Sequence, residues 1–139
     1  MIALTLPIPP SANRYWRTFT PRGHKRALVV VSDEARAYKA DVATLAMVGG
    51  VRPLPGRIAL TVRLYPSRPM DWQRRATKDP YAWDDTVRCI DLDNALKVLV
   101  DALKGIAYGD DSWVRSIRAE RCEPDEQGGR VEVEVSSAG

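Results

Sequence analysis

Ile2, Leu4 and Leu6 alternate with Ala3 and Thr5 at the start of the chain, the period of a strand with one buried face. Pro7, Pro9 and Pro10 follow, and proline has no N–H to give a ladder, so a strand is predicted over Met1 to Leu6. A second alternation sets Ile58, Leu60, Val62 and Leu64 against Ala59, Thr61, Arg63 and Tyr65, and Pro66 closes it. Near the end, Trp113 to Glu123 has strand-like content and Val131, Val133 and Val135 alternate with Glu132 and Glu134. The PDEQGG linker between these two predicts an antiparallel hairpin.

Two stretches carry the helical period instead. Ser32 suits an N-cap, with Glu34 and Ala35 behind it, and a helix runs through Tyr38, Val42, Leu45 and Ala46 to Gly49 and Gly50. In DLDNALKVLVDALKGI, Leu92, Leu96, Leu99 and Leu103 form an apolar stripe at spacings of four, three and four. Asp93 fits the N-cap or first turn of this second helix, and Gly105 its end.

The remaining segments have no clean period. Residues 11–26 contain Pro21, Gly23 and several Ser, Thr and Asn, which favours an exposed loop or a ragged hairpin. Residues 67–88 hold Pro69, Pro80, Trp72, Trp83 and both signs of charge, and read as a long loop, a length that is often functional. The order is strand, helix, strand, loop, helix, strand, strand, without repeat or linker. This predicts one domain over residues 1–139 of α/β (α+β) class, a small mixed sheet of about four strands packed with two main helices.

Composition narrows the class. With 45% hydrophobic and 28% charged residues, wholesale disorder and collagen-like repeats are excluded. Cys89 and Cys122 are too few for a disulfide framework. No apolar run approaches the roughly 18 residues that span a bilayer, and MIALTLPIPP lacks signal-peptide features. A cytoplasmic protein with free thiols and no membrane partner is expected. The net charge of +3 is mild, but its distribution is not. Arg14, Arg17, Arg22, Lys25 and Arg26 stand between Ser11 and Arg26 without one acid, so the rest of the chain has a slight acidic excess. That is a candidate nucleic-acid footprint.

Asp91 and Asp93 stand where the chain enters the second helix, and Asp110 and Asp111 just beyond that helix. If the following strand packs beside the helix entrance, these acids converge at one end of the sheet. A site of aspartates without His or Cys suits Mg²⁺ or Mn²⁺ rather than Zn²⁺. Lys97 lies one turn beyond Asp93, on the face opposite the leucine stripe, where an ammonium stabilises charge developing on a phosphate. Asp101 lies eight residues beyond Asp93, about 12 Å along the axis, and is not expected to share the ion. Each feature also has an ordinary structural use, the DxD as a helix cap, Asp93–Lys97 as a surface pair and GDD as a turn. Spacing alone leaves both a metal-dependent phosphodiesterase and a decorated surface open.

DLDNALKVLVDALKGIAYGDDSWV resembles the signature of the RusA family of Holliday junction resolvases, with Asp91, Asp93, Asn94, Lys97, Asp101 and the Asp110–Asp111 pair in place. The opening PIPPSANRYWR, with Pro9, Pro10, Ser11, Asn13, Arg14, Tyr15 and Trp16, is similar to that family's first motif. The likeness covers about residues 1–17 and 88–122. It implies a mixed sheet with flanking helices and a homodimer that nicks four-way DNA junctions symmetrically with Mg²⁺. It also implies metal-binding roles for Asp91, Asp93 and Asp111, a catalytic role for Lys97 and a weaker candidacy for Asp110. The departure is the 67–88 segment, longer and richer in Trp and acids, where Asp84 and Asp85 are open to three readings: irrelevant, in touch with the DNA, or confusing the metal assignment.

The chemistry expected is phosphodiester hydrolysis by a cation-activated water, with no protein nucleophile. His24, the only histidine, has no evident partner for a triad. Arg14, Arg17, Lys25 and Arg26 are the candidate phosphate contacts, and Tyr15 and Trp16 the aromatics available to stack on a base, with core packing as their ordinary alternative. Arg74, Arg75 and Lys78 extend the DNA surface or simply face solvent, and Cys89 reads as a small buried residue. Three functions follow: a resolvase of branched DNA in recombination, repair or phage DNA processing, another Mg²⁺ nuclease cutting flap DNA or RNA, or a non-catalytic binder of branched DNA.

Overall fold

The computed structural model describes residues 1–23 and 25–139, so His24 lies outside the described residues. In chain order the elements are β1 (Ile2–Leu6), α1 (Ala12–Tyr15), β2 (Trp16–Phe19), β3 (Leu28–Val31), α2 (Asp33–Val48), β4 (Ile58–Tyr65), α3 (Trp72–Lys78), α4 (Leu92–Leu103), β5 (Val114–Arg121) and β6 (Arg130–Ser137). Short 3-10 turns lie at Trp83–Thr86 and Asp111–Trp113. The mixed four-stranded sheet packed with two main helices is the architecture expected.

The sheet order is β1-β6-β4-β5. Strand β6 is antiparallel to both neighbours, whereas β5 runs parallel to β4. The predicted β5–β6 hairpin is therefore wrong, because β4 lies between the two strands. The side chains give the reason. Val131, Val133 and Val135 are all buried on the core face, as the centre of a sheet allows, while β5 exposes Arg115, Arg118, Glu120 and Arg121 and suits a sheet edge. A parallel β4–β5 pair also requires a long crossover, and α3 and α4 fill it.

One face of the sheet is apolar. Ile58, Leu60, Val62 and Leu64 join Leu4, Leu6 and the β6 valines in a single core with Ala35, Tyr38 and Val42 of α2 and Leu99 and Leu103 of α4. Helix α2 begins as expected, Ser32 Oγ accepting from the Ala35 N–H at 3.1 Å. Helix α4 is rolled slightly from its predicted seat. It buries Ala95, Val98, Leu99, Ala102 and Leu103, while Leu92 and Leu96 are only half-buried at its flank.

Both irregular segments contain more structure than their composition suggests. Within residues 11–26, Ala12–Tyr15 form α1 and Trp16–Phe19 form β2, and β2 pairs antiparallel with β3 from Trp16↔Val31 to Phe19↔Leu28. Residues 67–88 are not a bare loop. Trp83 is buried and its indole N–H donates to Glu123 at 2.6 Å, Trp72 lies 6.4 Å from it, and Arg68 stacks on Trp72 at 4.0 Å. These aromatic anchors hold α3 and the following turn in place, a tertiary effect invisible to local periodicity. Among the described residues no helix is long and apolar enough to cross a membrane.

Candidate active site

The site is built around both ends of α4. Asp91 occupies the N-cap position with extended backbone (φ −63°, ψ 143°), and Asp93 lies in the first turn, where the helix dipole favours negative charge. Both are exposed, as is Lys97 one turn later. Among the described residues no ion pair joins Lys97 to Asp93, so the simple surface-pair use of this spacing does not occur.

Beyond α4 the two adjacent acids divide their work. Asp110 caps the next turn, accepting from the Asp111 N–H at 2.9 Å and the Ser112 hydroxyl at 2.8 Å, and Lys104 lies 3.5 Å away. The hydrogen bond from Ser112, then those from Asp111, hold its carboxyl below the usual range. Asp111 is exposed, and among the described residues it takes part in no ion pair.

Asp111 lines a cleft of about 390 Å³ together with Lys97 and Asp101, and Trp16, Leu96, Val100 and Ile117 supply its apolar walls. The cleft arises because β5 continues the sheet past the cover of α4. Ile117 pairs with Leu60 on the helix side of the sheet yet stays 44% exposed. Leu96, one of the two stripe residues left half-buried at the flank of the core, lies against this gap.

The carboxylates offer oxygen ligands alone, the donor type that Mg²⁺ takes. Among the described residues, however, no three His, Cys, Asp or Glu side chains stand together to hold one ion. The expected convergence of Asp91, Asp93 and Asp111 is thus not preassembled in this chain. Asp111 shares the cleft with Lys97, whereas Asp91 and Asp93 stand outside its lining at the helix entrance. Mg²⁺ commonly takes only one or two protein carboxylates and fills its shell with water and phosphate, so the donor chemistry still fits.

The basic segment meets the site through its root. Arg14, Arg17, Lys25 and Arg26 are exposed, and Trp16 is half-buried as a wall of the cleft. Tyr15 is different. It is fully buried, with its ring 4.5 Å from that of Trp16 and its hydroxyl donating to Asp101 Oδ2 at 2.5 Å. The expectation that Tyr15 stacks on a base is therefore corrected, since a ring without exposed surface has no face to offer. Asp101 carries a second partner, the Lys39 ammonium at 2.9 Å. Burial alone raises its pKa, but the hydrogen bonds from Tyr15 and Lys39 prevail and hold it below the ordinary carboxylate value.

This arrangement has relatives. A family model described as endodeoxyribonuclease RusA matches residues 7–136. The chain belongs to the RusA family. Curated RusA proteins agree over nearly the whole chain. The crossover junction endodeoxyribonuclease RusA of Escherichia coli (strain K12) is 32% identical over 141 aligned residues, covering 99% of this chain and 95% of that protein. The corresponding protein of Enterobacteria phage 82 is 31% identical over 137 residues, covering 98% and 94%. That of Shigella sonnei (strain Ss046) is 30% identical over 141, covering 99% and 95%.

Within this RusA chain, other sequence candidates find separate places. Arg74 and Arg75 converge on Asp71 at 3.3 and 2.9 Å, and Lys78 is exposed. Asp84 and Asp85 lie in the 3-10 turn that Trp83 anchors. Cys89 is half-buried and burial pushes its thiol up, as befits a packed thiol rather than a ligand. The side chain that sequence reasoning missed is Lys39. No local spacing signals it, because α2 and α4 meet only through the tertiary packing.

Proposed function

We propose that this chain is a structure-selective DNA endonuclease that resolves four-way junctions by paired, symmetric nicks, acting as a homodimer with Mg²⁺. One observation carries the reading. Lys97 and Asp111 line one cleft, neither is in an ion pair among the described residues, and Trp16, at the root of a hairpin bearing exposed bases, lines the same cleft. The RusA relatives, named for crossover junctions, support the substrate. A two-fold enzyme also matches a two-fold junction.

In this reading Arg14, Arg17, Lys25 and Arg26 grip phosphates flanking the branch, which fixes the register of the DNA without reading its sequence. Trp16, half-buried as a wall of the cleft, is the aromatic available to a base unstacked at the branch point. Lys97 places its ammonium against the scissile phosphate and stabilises the negative charge that develops there. Asp91, Asp93 and Asp111 are the carboxylates available to the cation, which would take one or two of them and complete its shell with water and phosphate. When bound, Mg²⁺ supplies phosphate polarisation and a more acidic water.

The test is cleavage of an end-labelled synthetic four-way junction beside linear duplex, flap, single-stranded DNA and RNA, in Mg²⁺ or EDTA. Paired nicks confined to the junction are expected. Asp111→Asn and Asp91→Asn should each lower the rate by roughly 10²-fold or more, with binding kept or tightened as carboxylate repulsion is relieved. Asp85→Asn should cut at the wild-type rate. Cutting of flap or RNA alone would discard the substrate, and no cutting with binding intact would leave only a branched-DNA-binding protein.

A further inference from the structure

The β2–β3 hairpin is a two-stranded sheet of its own, hydrogen-bonded to none of the four main strands. Such a pair is marginal alone, so its orientation depends on its roots. The chain enters through Tyr15 and leaves through Ser32, and these two are tied together. The Ser32 N–H donates to the Tyr15 carbonyl at 2.9 Å, and the Ser32 hydroxyl donates to the Arg14 carbonyl. Beside the buried Tyr15 ring and the entry of Ser32 into α2, one carboxylate oxygen ties this root to the body. Asp101 Oδ2 accepts from the Tyr15 hydroxyl at 2.5 Å and pairs with Lys39 Nζ at 2.9 Å, so α1, α2 and α4 meet at a single atom. Lys39 also lies 5.7 Å from the Tyr15 ring centre.

The position of this atom matters for the cleft. Asp101 is four residues beyond Lys97 on α4, hence on the same face, and Trp16 follows Tyr15 directly as a wall of the space that Lys97 and Asp111 share. Donor and acceptor are fixed. Burial, then the Asp101 contact, hold the Tyr15 phenol above its ordinary range, so the proton stays on Tyr15. A charge-assisted bond of this kind is stronger than a neutral one.

We propose that Asp101 is a positioning residue for cleavage: by anchoring Tyr15 and Lys39 it holds the basic hairpin and Trp16 in a set orientation over Lys97 and Asp111. The proposal rests on the endonuclease reading. Without the anchor, the phosphate-gripping charges remain but their register against Lys97 is lost. Misplacements of about 1 Å are known to cost up to 10²-fold in rate.

Tyr15→Phe keeps the packed ring and removes only the hydroxyl, and Asp101→Asn keeps the shape and removes the charge. Both, with the double variant, are compared in single-turnover cleavage at saturating protein, in junction affinity, and in amide hydrogen exchange of the DNA-free protein. Each single variant should lose about tenfold in rate with affinity nearly unchanged, and the double should lose clearly less than the product of the two, because both changes weaken the same Tyr15–Asp101 contact. Exchange should quicken about tenfold over Trp16 to Val31 while β4 and β6 keep their protection. Cleavage at the wild-type rate in both single variants overturns the positioning role alone. So does an additive double variant, or exchange that quickens equally across the main sheet, which marks general loss of stability. A wild-type protein that leaves every junction uncut overturns the endonuclease reading and this role with it.

Discussion

Two segments of this chain are rich in arginine, lysine and aromatic residues, and they use them in opposite ways. In residues 11–31 the bases have no acid among them and stay exposed, and Trp16 keeps part of its ring at the cleft. In residues 67–88 several of the same residue types already have partners within the chain, although Lys78, Tyr81 and Arg88 stay exposed. Arg74 and Arg75 converge on Asp71, Arg68 covers Trp72, and Trp83 is buried with its N–H on Glu123. A base already paired must give up its partner to grip a phosphate, so the second segment gains little by binding DNA. Residue counts therefore do not identify a nucleic-acid surface. Whether the charges already have partners does.

The largest expected effect falls on the buried tryptophan of the 67–88 segment. Trp83→Ala removes a buried indole and its hydrogen bond and should lower stability by about 3 to 5 kcal/mol in urea unfolding. Four-way-junction binding by the folded variant should keep the wild-type salt dependence. A changed slope would place residues 67–88 on the DNA and erase the contrast.

Salt dependence also sharpens the comparison directly. Arg17→Ala should weaken junction binding and reduce the slope of log affinity against log salt by about 1. Arg75→Ala should leave that slope as it is, measured by fluorescence anisotropy between low and physiological salt. Equal slopes in the two variants would remove Arg17 from the DNA face.

The smallest effect concerns the anchor that orients the outward-facing segment. The fold holds the Asp101 carboxyl below its ordinary value, so it binds its proton less readily folded than unfolded. The resulting stability is present above the unfolded pKa of about 3.9 and is lost as pH falls through the lower folded value. Thermal melts from pH 6 to pH 2 should show this acid loss reduced in Tyr15→Phe and Lys39→Met. An identical acid profile in all three proteins would show that Asp101 gains nothing from its two partners.

Period-two and period-four patterns determined β1, β4, β6, α2 and α4, because in each the alternation or stripe records one face turned to a common core. The motif acids and Lys97 were equally legible, since helix geometry sets what stands one turn from what. Strand neighbours were not. Nothing in Val131 to Val135 says that β4, rather than β5, lies alongside, and only the pairing of β6 with β1 and β4 in the folded sheet decides it. The same holds at the site. Lys97 and Asp111 come to one cleft because β5 outruns the cover of α4, Asp91 and Asp93 stay outside it, and Tyr15 reaches Asp101 across 86 residues of chain. Local sequence encodes which face of an element is apolar. Which elements then share that face, and which polar atoms meet where they join, is a property of the packed whole.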